Sequence, residues 1–203
     1  MGLGSKLAIG CGGLLVLFVF IFGLTIMGSY NSLNTLNQAV DAQWGQVENV
    51  YQRRADLVPN LVATVKGAAS FEKDTFIAVT EARSKVGQVT AGPKPTNDPA
   101  AMERFQKAQE GLGSALSRLL VVVEKYPDLK ATQNFRDLQA QLEGTENRIS
   151  VERMRFNQAA QAFNTKRNSF PTVILAGFFG NRFMDKAYFK AQAGADQAPK
   201  VQF

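Results

Sequence analysis

Histidine is absent from this chain of 203 residues, and cysteine occurs only once. Without histidine the chain cannot form a Ser-His-Asp or Cys-His triad, a histidine-ligated zinc or haem site, or the usual proton shuttle near neutral pH. A single cysteine excludes a disulfide within the chain and a cluster of thiolate ligands. The sequence therefore predicts no catalytic residues, no metal site and no cofactor.

Charge is also absent from a long stretch near the N-terminus, although the whole chain has a formal charge of +6. No charged residue lies between Lys6 and Asp41, and the 21 residues from Leu7 to Met27 contain no proline either. At about 1.5 Å per residue a helix of this segment reaches about 31 Å, which matches the hydrocarbon core of a bilayer. A secretory signal peptide is the alternative, but its apolar region is shorter and ends at a small-residue cleavage site. The segment therefore predicts an uncleaved transmembrane anchor.

Few basic residues flank this anchor. Lys6 precedes it, and the next basic residue along the chain is Arg53. Because positive charge favours the cytoplasmic side of a membrane, we expect a cytoplasmic N-terminus, with the rest of the chain on the other side of the membrane.

Small residues recur every four positions at the start of the anchor, at Gly4, Ala8 and Gly12. Such spacing lets two membrane helices approach closely, so it predicts a face for self-association within the membrane. The alternative is that glycine and alanine are simply common in membrane anchors, because the spacing is not specific.

Beyond the anchor, four stretches carry apolar residues at alternating intervals of three and four. A mean period near 3.5 is typical of helices that pack side by side in a left-handed bundle. No segment shows the alternation of an amphipathic strand over a convincing length. The four stripes run from Leu33 to Tyr51, Leu61 to Val86, Met102 to Tyr126 and Phe135 to Phe170.

Pro59 leaves two arrangements open. One is a single kinked helix over residues 30–86, about 85 Å long, and the stripe that runs in phase across Pro59 favours it. The other is a reversal of the chain near Asp56, which yields two helices of about 40 Å that match their neighbours in length. Length matching favours the reversal. The predicted fold is all-α: an N-terminal single transmembrane helix followed by an antiparallel up-down four-helix bundle with long coiled-coil-like helices.

These patterns divide the chain into five predicted segments. Asp98-Pro99 is an expected helix start, and Phe170-Pro171 is an expected helix end. The segments are a short cytoplasmic N-terminus (1–6), the anchor (7–28), the helical bundle (29–170), a Phe-rich membrane-proximal segment (171–190) and a C-terminal tail (191–203).

A reversal near Asp56 would place a polar cluster at the end of the bundle far from the membrane. This cluster comprises Arg53, Arg54, Asp56, Asn60 and Asp128. Because arginine binds carboxylates through two parallel hydrogen bonds, it predicts a distal docking surface for a partner. The alternative is an arginine–aspartate cluster that only ties helix ends together, since Asp56 can cap a helix and Arg54 falls on the inward stripe.

Two glutamates, Glu72 and Glu152, fall on inward positions of their stripes. A carboxylate pair could perform acid–base chemistry, as in glycoside hydrolases. The alternative is a polar layer that fixes helix register, neutralised by Arg118, Arg148 or Arg155. Two carboxylates without a visible cleft are a weak signal, and the polar layer is the favoured interpretation.

Aromatic and basic residues are concentrated after the fourth stripe. The apolar run in this segment, from Val173 to Phe179, is too short to span a bilayer. Aromatic side chains flanked by arginine and lysine are typical of segments that insert into the membrane interface, so we expect contact with lipid or with a second subunit. The alternative is packing of these side chains inside the same chain. The residues in question are Phe170, Phe178, Phe179, Arg182, Phe183, Lys186 and Phe189.

Several unusual strings make the chain resemble the LemA family of bacterial membrane-anchored proteins. They are RRADLVPNLV at 53–62, LSRLLVVVEKYPDLK at 116–130, LEGTENRI at 142–149, Phe170-Pro171 followed by Ala176-Gly177, and the ending APKVQF at 198–203. The resemblance implies an N-terminal anchor, a helical-bundle domain and no established enzymatic activity; some members are linked to internal membranes of bacteria. Where many members have Gly-Tyr and then His-Glu, this chain has Gly67-Ala68 and Phe71-Glu72, so any role of that histidine does not transfer.

The function predicted from the sequence is a non-enzymatic scaffold of the bacterial envelope. It would lie in the inner membrane with its bundle on the outer side, self-assemble into a homo-oligomer, and organise or shape the bilayer. One alternative is an accessory subunit that docks a membrane protease or another envelope enzyme. A second alternative is an envelope hydrolase that uses Glu72 and Glu152. No nucleic-acid partner is expected, because basic and acidic residues are interleaved.

Overall fold

A computed structural model describes residues 3–68 and 73–191, with side chains over 12–67 and 73–191. Over these residues all regular structure is helical, so the all-α prediction is confirmed. The helices are α1 (Leu3–Ala68), α2 (Lys73–Thr90), α3 (Pro99–Val123), α4 (Pro127–Lys130), α5 (Gln133–Asn168) and α6 (Thr172–Phe178). Short 3-10 turns cover Pro95–Asn97 and Gly180–Phe183.

The first part of α1 is apolar and exposed. An 18-residue window of this helix has a mean hydropathy of 2.2, and only 6% of the window is buried. The large apolar side chains between Leu14 and Met27 are mostly exposed, whereas those from Leu33 onward alternate between buried and exposed positions. A helix of this length and composition can cross a membrane, as expected for a single-pass anchor.

The predicted reversal near Asp56 is wrong, because α1 continues without a break through Pro59 to Ala68. A proline inside a helix cannot donate to the carbonyl four residues earlier, which here is that of Ala55. Arg83 of α2 replaces the missing donor, since its Nε donates to the Ala55 oxygen at 3.1 Å. The orphaned carbonyl is thus satisfied, and the apolar stripe that runs in phase across Pro59 stays on one face of one helix.

The part of α1 beyond the anchor packs against α5, a helix of nearly the same length, so no reversal is needed to match the lengths of neighbouring helices. Residues 30–68 extend about 57 Å, and α5 extends about 54 Å. The two helices are antiparallel, since Gln43 hydrogen-bonds Glu152 while Arg54, further along α1, pairs with Glu146, earlier in α5.

The remaining two long helices cover the upper part of α1. In α3, Phe105 lies against Tyr51 and Gln109 against Arg54, so α3 runs parallel to α1. In α2, Arg83 reaches Ala55, while the earlier residues of α2 share a cavity with residues 62–66, so α2 runs antiparallel to α1. The four long helices therefore alternate in direction, and the first change of direction follows Ala68.

Two apolar clusters are stacked along the domain. The proximal core, nearer the anchor, comprises Leu33, Val40, Trp44, Val47, Tyr51, Met102, Phe105, Ile149, Phe156, Ala160, Phe163, Ala176, Phe183, Ala187 and Phe189. The distal core comprises Val58, Leu61, Val65, Phe76, Val79, Val86, Leu112, Ala115, Leu116, Leu119, Val123, Leu129, Phe135 and Leu142. Arg54 occupies the level between them, because the stripe of α1 passes from Tyr51 to Val58 through this buried position.

Candidate functional site

The short helix α6 packs against α1 where α1 leaves the apolar anchor. Its inward side chains, Thr172, Leu175 and Ala176, are buried. Tyr30 of α1 contacts the ring of Phe179 just after α6, with 5.2 Å between ring centroids in an edge geometry. Because the anchor segment ends close to Tyr30 in sequence, α6 lies at the membrane-proximal end of the domain.

The outward side of α6 is apolar. Phe170 and Phe178 are each 81% exposed, and Val173 and Ile174 are also exposed. Ile174 and Phe178 are four residues apart on α6, a spacing that places their side chains on one face of the helix, and Phe170 lies in the turn that precedes it. These four residues are called the foot below. The sequence predicts that Phe170 and Phe178 contact lipid or a second subunit, and that contact stays a prediction.

Other residues of the predicted contact segment are internal. Phe183, Lys186 and Phe189 are buried, so for them the alternative of packing inside the chain is correct. Phe179 is half-buried against Tyr30, whereas Arg182 is exposed and lies over the Tyr30 ring at 5.5 Å. The reason for the difference is that the chain turns back after α6 and returns along α5.

Residues 184–191, called the strap below, form no regular secondary structure and lie along α5 and α3. Three side-chain amides hold their backbone, each by accepting from a strap N–H and donating to the carbonyl of the same residue. Asn164 pairs in this way with Lys186 at 2.8 and 2.9 Å, and Asn157 pairs with Phe189 at 2.9 Å in both directions. Gln106 of α3 pairs with Lys190 at 3.2 and 3.1 Å.

The spacing of the two asparagines fits an extended peptide. Asn157 and Asn164 are seven residues apart, which on a helix corresponds to about 10.5 Å. Lys186 and Phe189 are three residues apart, which in an extended chain corresponds to about 10 Å. Two turns of α5 therefore match three residues of the strap, and each asparagine meets the backbone of one residue.

Phe189 is the strap residue that contacts the most aromatic rings of the proximal core. Its ring stacks on Trp44 with 6.0 Å between centroids, and meets Phe156 edge-on at 5.4 Å and Phe105 at 6.3 Å. Arg153 of α5 lies over the same ring at 4.9 Å and donates to the carbonyl of Lys190 at 2.9 Å. The strap thus completes the proximal core instead of lying loosely on it.

Lys186 is the buried cation of the strap. Its Nζ donates to Oδ1 of Asn97 at 2.7 Å and lies 4.9 Å from the centre of the Phe163 ring. Burial lowers the pKa of this lysine, and the charge of Asp41 opposes the shift only in part. A hydrogen bond and an aromatic face thus replace most of its hydration.

Arg54 is buried, with 4% of the residue exposed, so its predicted place in a distal docking surface is wrong. One guanidinium nitrogen pairs with Glu146 at 2.7 Å, and the other donates to the backbone oxygen of Gln109 at 3.0 Å and to its side chain. Because Glu146 is half-exposed, the ion pair opens to solvent on one side. Burial raises the pKa of Tyr51, which lies under the same guanidinium.

The other residues of the predicted docking surface are not brought together at one end. Arg53, Asp56 and Asn60 are exposed on the last quarter of α1, where Gln52 donates to Asp56 at 2.8 Å. Asp128 lies on α4, at the end of the domain far from the anchor. The physical reason is the continuity of α1, which places the first three residues well below its end.

An open cavity of about 1150 Å³ lies between α3 and α5, directly above the strap. Gln106 and Arg153, which hold the last strap residues, also line the lower end of this cavity. Gly113 of α3 lines the cavity and leaves space there, because a Cβ placed on it would have Arg54 as its nearest neighbour, at 3.9 Å. Further lining residues carry charges of both signs, including Arg54, Arg118, Glu110 and Glu143.

The proposed carboxylate pair is only partly within the described residues, since Glu72 lies outside them. Glu152 is half-buried, accepts from Gln43 and forms an ion pair with Arg155 at 2.9 Å. Arg155 is one of the three arginines expected to neutralise it. In the part of the chain that the structure describes, no group of three or more His, Cys, Asp or Glu side chains could hold a metal ion.

The small-residue positions of the anchor lie in α1. Gly12 is exposed, and a Cβ placed on it would meet nothing within 4 Å. Gly4 and Ala8 precede the first described side chain. Self-association through these three positions stays a prediction.

Comparison with known proteins supplies a family and several relatives. The model of the LemA family matches residues 43–203. Two proteins of Paramagnetospirillum magneticum named magnetosome protein MamQ 1 and MamQ 2 are each 28% identical over 197 residues, covering 89% of this chain and 72% of theirs. Protein LemA of Metamycoplasma hominis is 22% identical over 161 residues, covering 79% of this chain and 69% of its own.

Proposed function

We propose that this chain, which belongs to the LemA family, is a non-enzymatic scaffold that is anchored in the bacterial inner membrane and self-assembles on its outer surface to organise or shape it. The observation that carries the proposal is the foot. Four exposed apolar side chains lie beside the exit of the anchor, where a bilayer surface is nearest.

Exposed apolar patches on a soluble face are uncommon unless another surface covers them. The foot combines two phenylalanines with Val173 and Ile174, and Arg182 lies exposed close to it. Such a composition suits the boundary between acyl chains and anionic headgroups, where the rings bury apolar area and the guanidinium meets phosphate. With the anchor in the bilayer, insertion of the foot gives each copy a second point of membrane contact.

The comparisons support a structural role over a catalytic one. The MamQ relatives are named after a cellular structure, the magnetosome, and not after a reaction. Lys6 before the anchor supports the cytoplasmic position of the N-terminus.

Membrane contact of the foot can be tested by tryptophan quenching in vesicles that contain brominated lipids. The native Trp44 is buried and supplies a constant background. We expect an added tryptophan in Phe178→Trp to be quenched. A matched control, Val121→Trp, replaces an apolar side chain that is 66% exposed on α3, and it should escape quenching. Equal quenching of the two variants would contradict the proposal.

Self-assembly can be tested by energy transfer between donor- and acceptor-labelled copies in the same vesicles. We expect transfer above the level of randomly distributed anchors, and a reduction when Ile174 and Phe178 are both changed to serine. Transfer equal to the random level in the unaltered protein would remove the scaffold proposal.

A second candidate function is an accessory subunit that docks a membrane protease or another envelope enzyme. The open polar cavity between α3 and α5 favours it, because a partner's side chains could enter there. Affinity capture from membranes separates the two functions. A foreign chain in fixed proportion supports the accessory subunit, and assemblies of this chain alone support the scaffold.

A further inference from the structure

The strap lies in a groove formed by side chains of α3 and α5, and these side chains bind its backbone. Asn157, Asn164 and Gln106 make six hydrogen bonds to strap N–H and C=O groups. A seventh runs from the N–H of Ala187 to the carbonyl of Thr96 at 2.8 Å. Binding an extended segment through main-chain hydrogen bonds, with one pocket for an aromatic side chain, is a recurring mode of peptide recognition.

We propose that this groove also receives the strap of a second copy of the chain, so that neighbouring copies on the membrane exchange straps. The proposal rests on the proposed function, because it names the contact by which copies of the scaffold would be joined. The backbone hydrogen bonds of Lys186, Phe189 and Lys190 and the Phe189 pocket would be kept in the exchanged form, since the groove meets the same residues from either copy. Exchange of an identical element is a low-cost route to a dimer.

The chain has a place where the strap can diverge. Phe183 is buried against Phe163 and Tyr30, so the turn that ends there stays with its own copy. Met184 follows it with an extended backbone, and Met184 and Asp185 are exposed. A change of direction at these two residues would break the ion pair of Asp185 with Arg167 and its hydrogen bond from Asn168, and it would leave α6 in place.

Three large apolar side chains on the strap or close to it are exposed. Met184 and Tyr188 of the strap are exposed, and so is Met154 of α5 at 54%. Met154 is three residues before Asn157, hence adjacent to it on the helix surface. A second copy facing this groove would cover these side chains, which the chain alone leaves in water.

The anchor favours exchange between copies over capture of another peptide. Copies held in one bilayer present their straps and grooves at the same height above the membrane. Confinement of this kind raises the effective concentration of one strap near the next groove. The neighbouring strap therefore competes with the chain's own strap, and other extended peptides enter only from solution.

Crosslinking of two single-cysteine variants tests the exchange. Both full-length proteins carry Cys11→Ser, one with Lys190→Cys and the other with Arg153→Cys, each with its own tag. The two positions are adjacent in the docked strap, since Arg153 donates to the Lys190 carbonyl. After reconstitution into one population of vesicles, a short bismaleimide should give a product that carries both tags.

Matched controls make the result specific. Ser84→Cys lies exposed on α2, outside the groove, and should give several-fold less product when it replaces Arg153→Cys. Phe189→Ala in the strap-bearing copy should reduce the product, and so should Asn157→Ala in the groove-bearing copy, which leaves the Phe189 ring intact.

The outcomes separate this proposal from the proposed function. A doubly tagged product that depends on Asn157 and Phe189 supports exchange. A chain that carries both cysteines is the positive control, because its own docked strap should crosslink internally. If this control crosslinks, energy transfer above the random level without a doubly tagged product overturns exchange and leaves self-assembly standing. If the control crosslinks but energy transfer stays at the random level and no doubly tagged product forms, both proposals are overturned. Equal product with Ser84→Cys identifies chance collision and overturns exchange.

Discussion

The proximal and distal cores are built from different side chains, although the same four long helices run along or beside both. The distal core is mainly leucine and valine, with Phe76 and Phe135 as its buried aromatics. The proximal core contains seven buried aromatic residues: Trp44, Tyr51, Phe105, Phe156, Phe163, Phe183 and Phe189.

The difference follows from what each core must hold. In the distal core helices meet helices, and branched aliphatic side chains interdigitate well at such contacts. In the proximal core α1, α3 and α5 also meet the short helix α6 and the strap, and the strap has an irregular backbone. Large rings fill the uneven space, and amide side chains satisfy most of the backbone hydrogen bonds of a strap that forms neither helix nor sheet. Aromatic content thus marks where the domain binds chain without regular structure.

The largest predicted effect is the loss of stability when a central residue of the proximal core is replaced. Trp44 is 1% exposed and contacts Phe105, Phe156 and Phe189. Trp44→Ala should lower the free energy of unfolding by about 3–5 kcal/mol, because a large buried ring is replaced by a cavity. Urea unfolding followed by circular dichroism in detergent micelles measures this value.

Hydrogen exchange then tells whether the two cores respond separately. In Trp44→Ala the amides of Lys186, Phe189 and Lys190 should exchange faster. Leu119→Ala, in the distal core, is the control and should leave these strap amides protected. Similar acceleration in both variants would show that the cores respond as one unit.

A smaller effect is expected at the boundary between the cores. Arg54→Ala should cost about 2–3 kcal/mol, less than for a fully buried ion pair, because half-exposed Glu146 keeps much of its hydration. Arg54→Met should cost less than about 1 kcal/mol, since an apolar side chain of similar length continues the stripe. The Nε of Arg54 has no hydrogen-bond partner in the structure, which further lowers what the native arginine contributes. Equal losses for the two variants in urea unfolding would contradict this interpretation.

The junction of α2 with α1 should show coupling of about 1 kcal/mol. Arg83→Met removes the donor to the Ala55 carbonyl, and this hydrogen bond is worth about 1 kcal/mol. In a Pro59→Ala background the new N–H can donate to the same carbonyl, so Arg83→Met should then cost little. A double-mutant cycle measures the difference, with Lys85→Met on the same helix as the control. A cost that is the same in both backgrounds would exclude this role for Arg83.

The smallest effect concerns pH and the proximal core. Because burial lowers the pKa of Lys186 below 10.5, the unfolded chain binds more protons than the folded chain between the lowered value and 10.5. The free energy of unfolding should therefore rise with pH across that window. Lys186→Met should flatten this rise.

A second group limits the range of this measurement. Burial raises the pKa of Tyr51 above 10.0, so folded chains keep a proton there that unfolded chains lose, and stability falls above that pH. Titrations of unfolding at pH values below 10.0 isolate the contribution of Lys186. An unchanged slope in Lys186→Met would mean that this lysine keeps its hydration when folded.

The anchor, the four apolar stripes and the start of α3 could be predicted because each has a local signal. Asp98 accepts from the N–H of Ala100 at 2.9 Å, with Pro99 at the first helical position, as the sequence indicates. The path of the chain at Pro59 could not be predicted in the same way. Its compensating donor, Arg83, lies 28 residues from the carbonyl it satisfies, and no local pattern reveals that contact.

The strap and its groove were missed for a related reason. Eight residues without helical or strand periodicity look like any terminal segment, so the buried state of Lys186 and Phe189 leaves no local trace. The signal that could have found the groove lies in α5. Asn157 and Asn164 are poor helix formers seven residues apart, and such a pair on one face of a long helix indicates a partner with its own backbone to satisfy.

Because α1 is continuous, the anchor and the first helix of the domain are one rigid element. No hinge lies between the bilayer and Ala68, so any tilt of the spanning part is passed on in full. Over the roughly 57 Å of α1 beyond the anchor, each ten degrees of tilt moves the far end sideways by about 10 Å. Thicker bilayers hold such a helix more upright and thinner ones lean it over. A change in the tilt of the spanning part therefore moves the far end of the domain along the membrane surface.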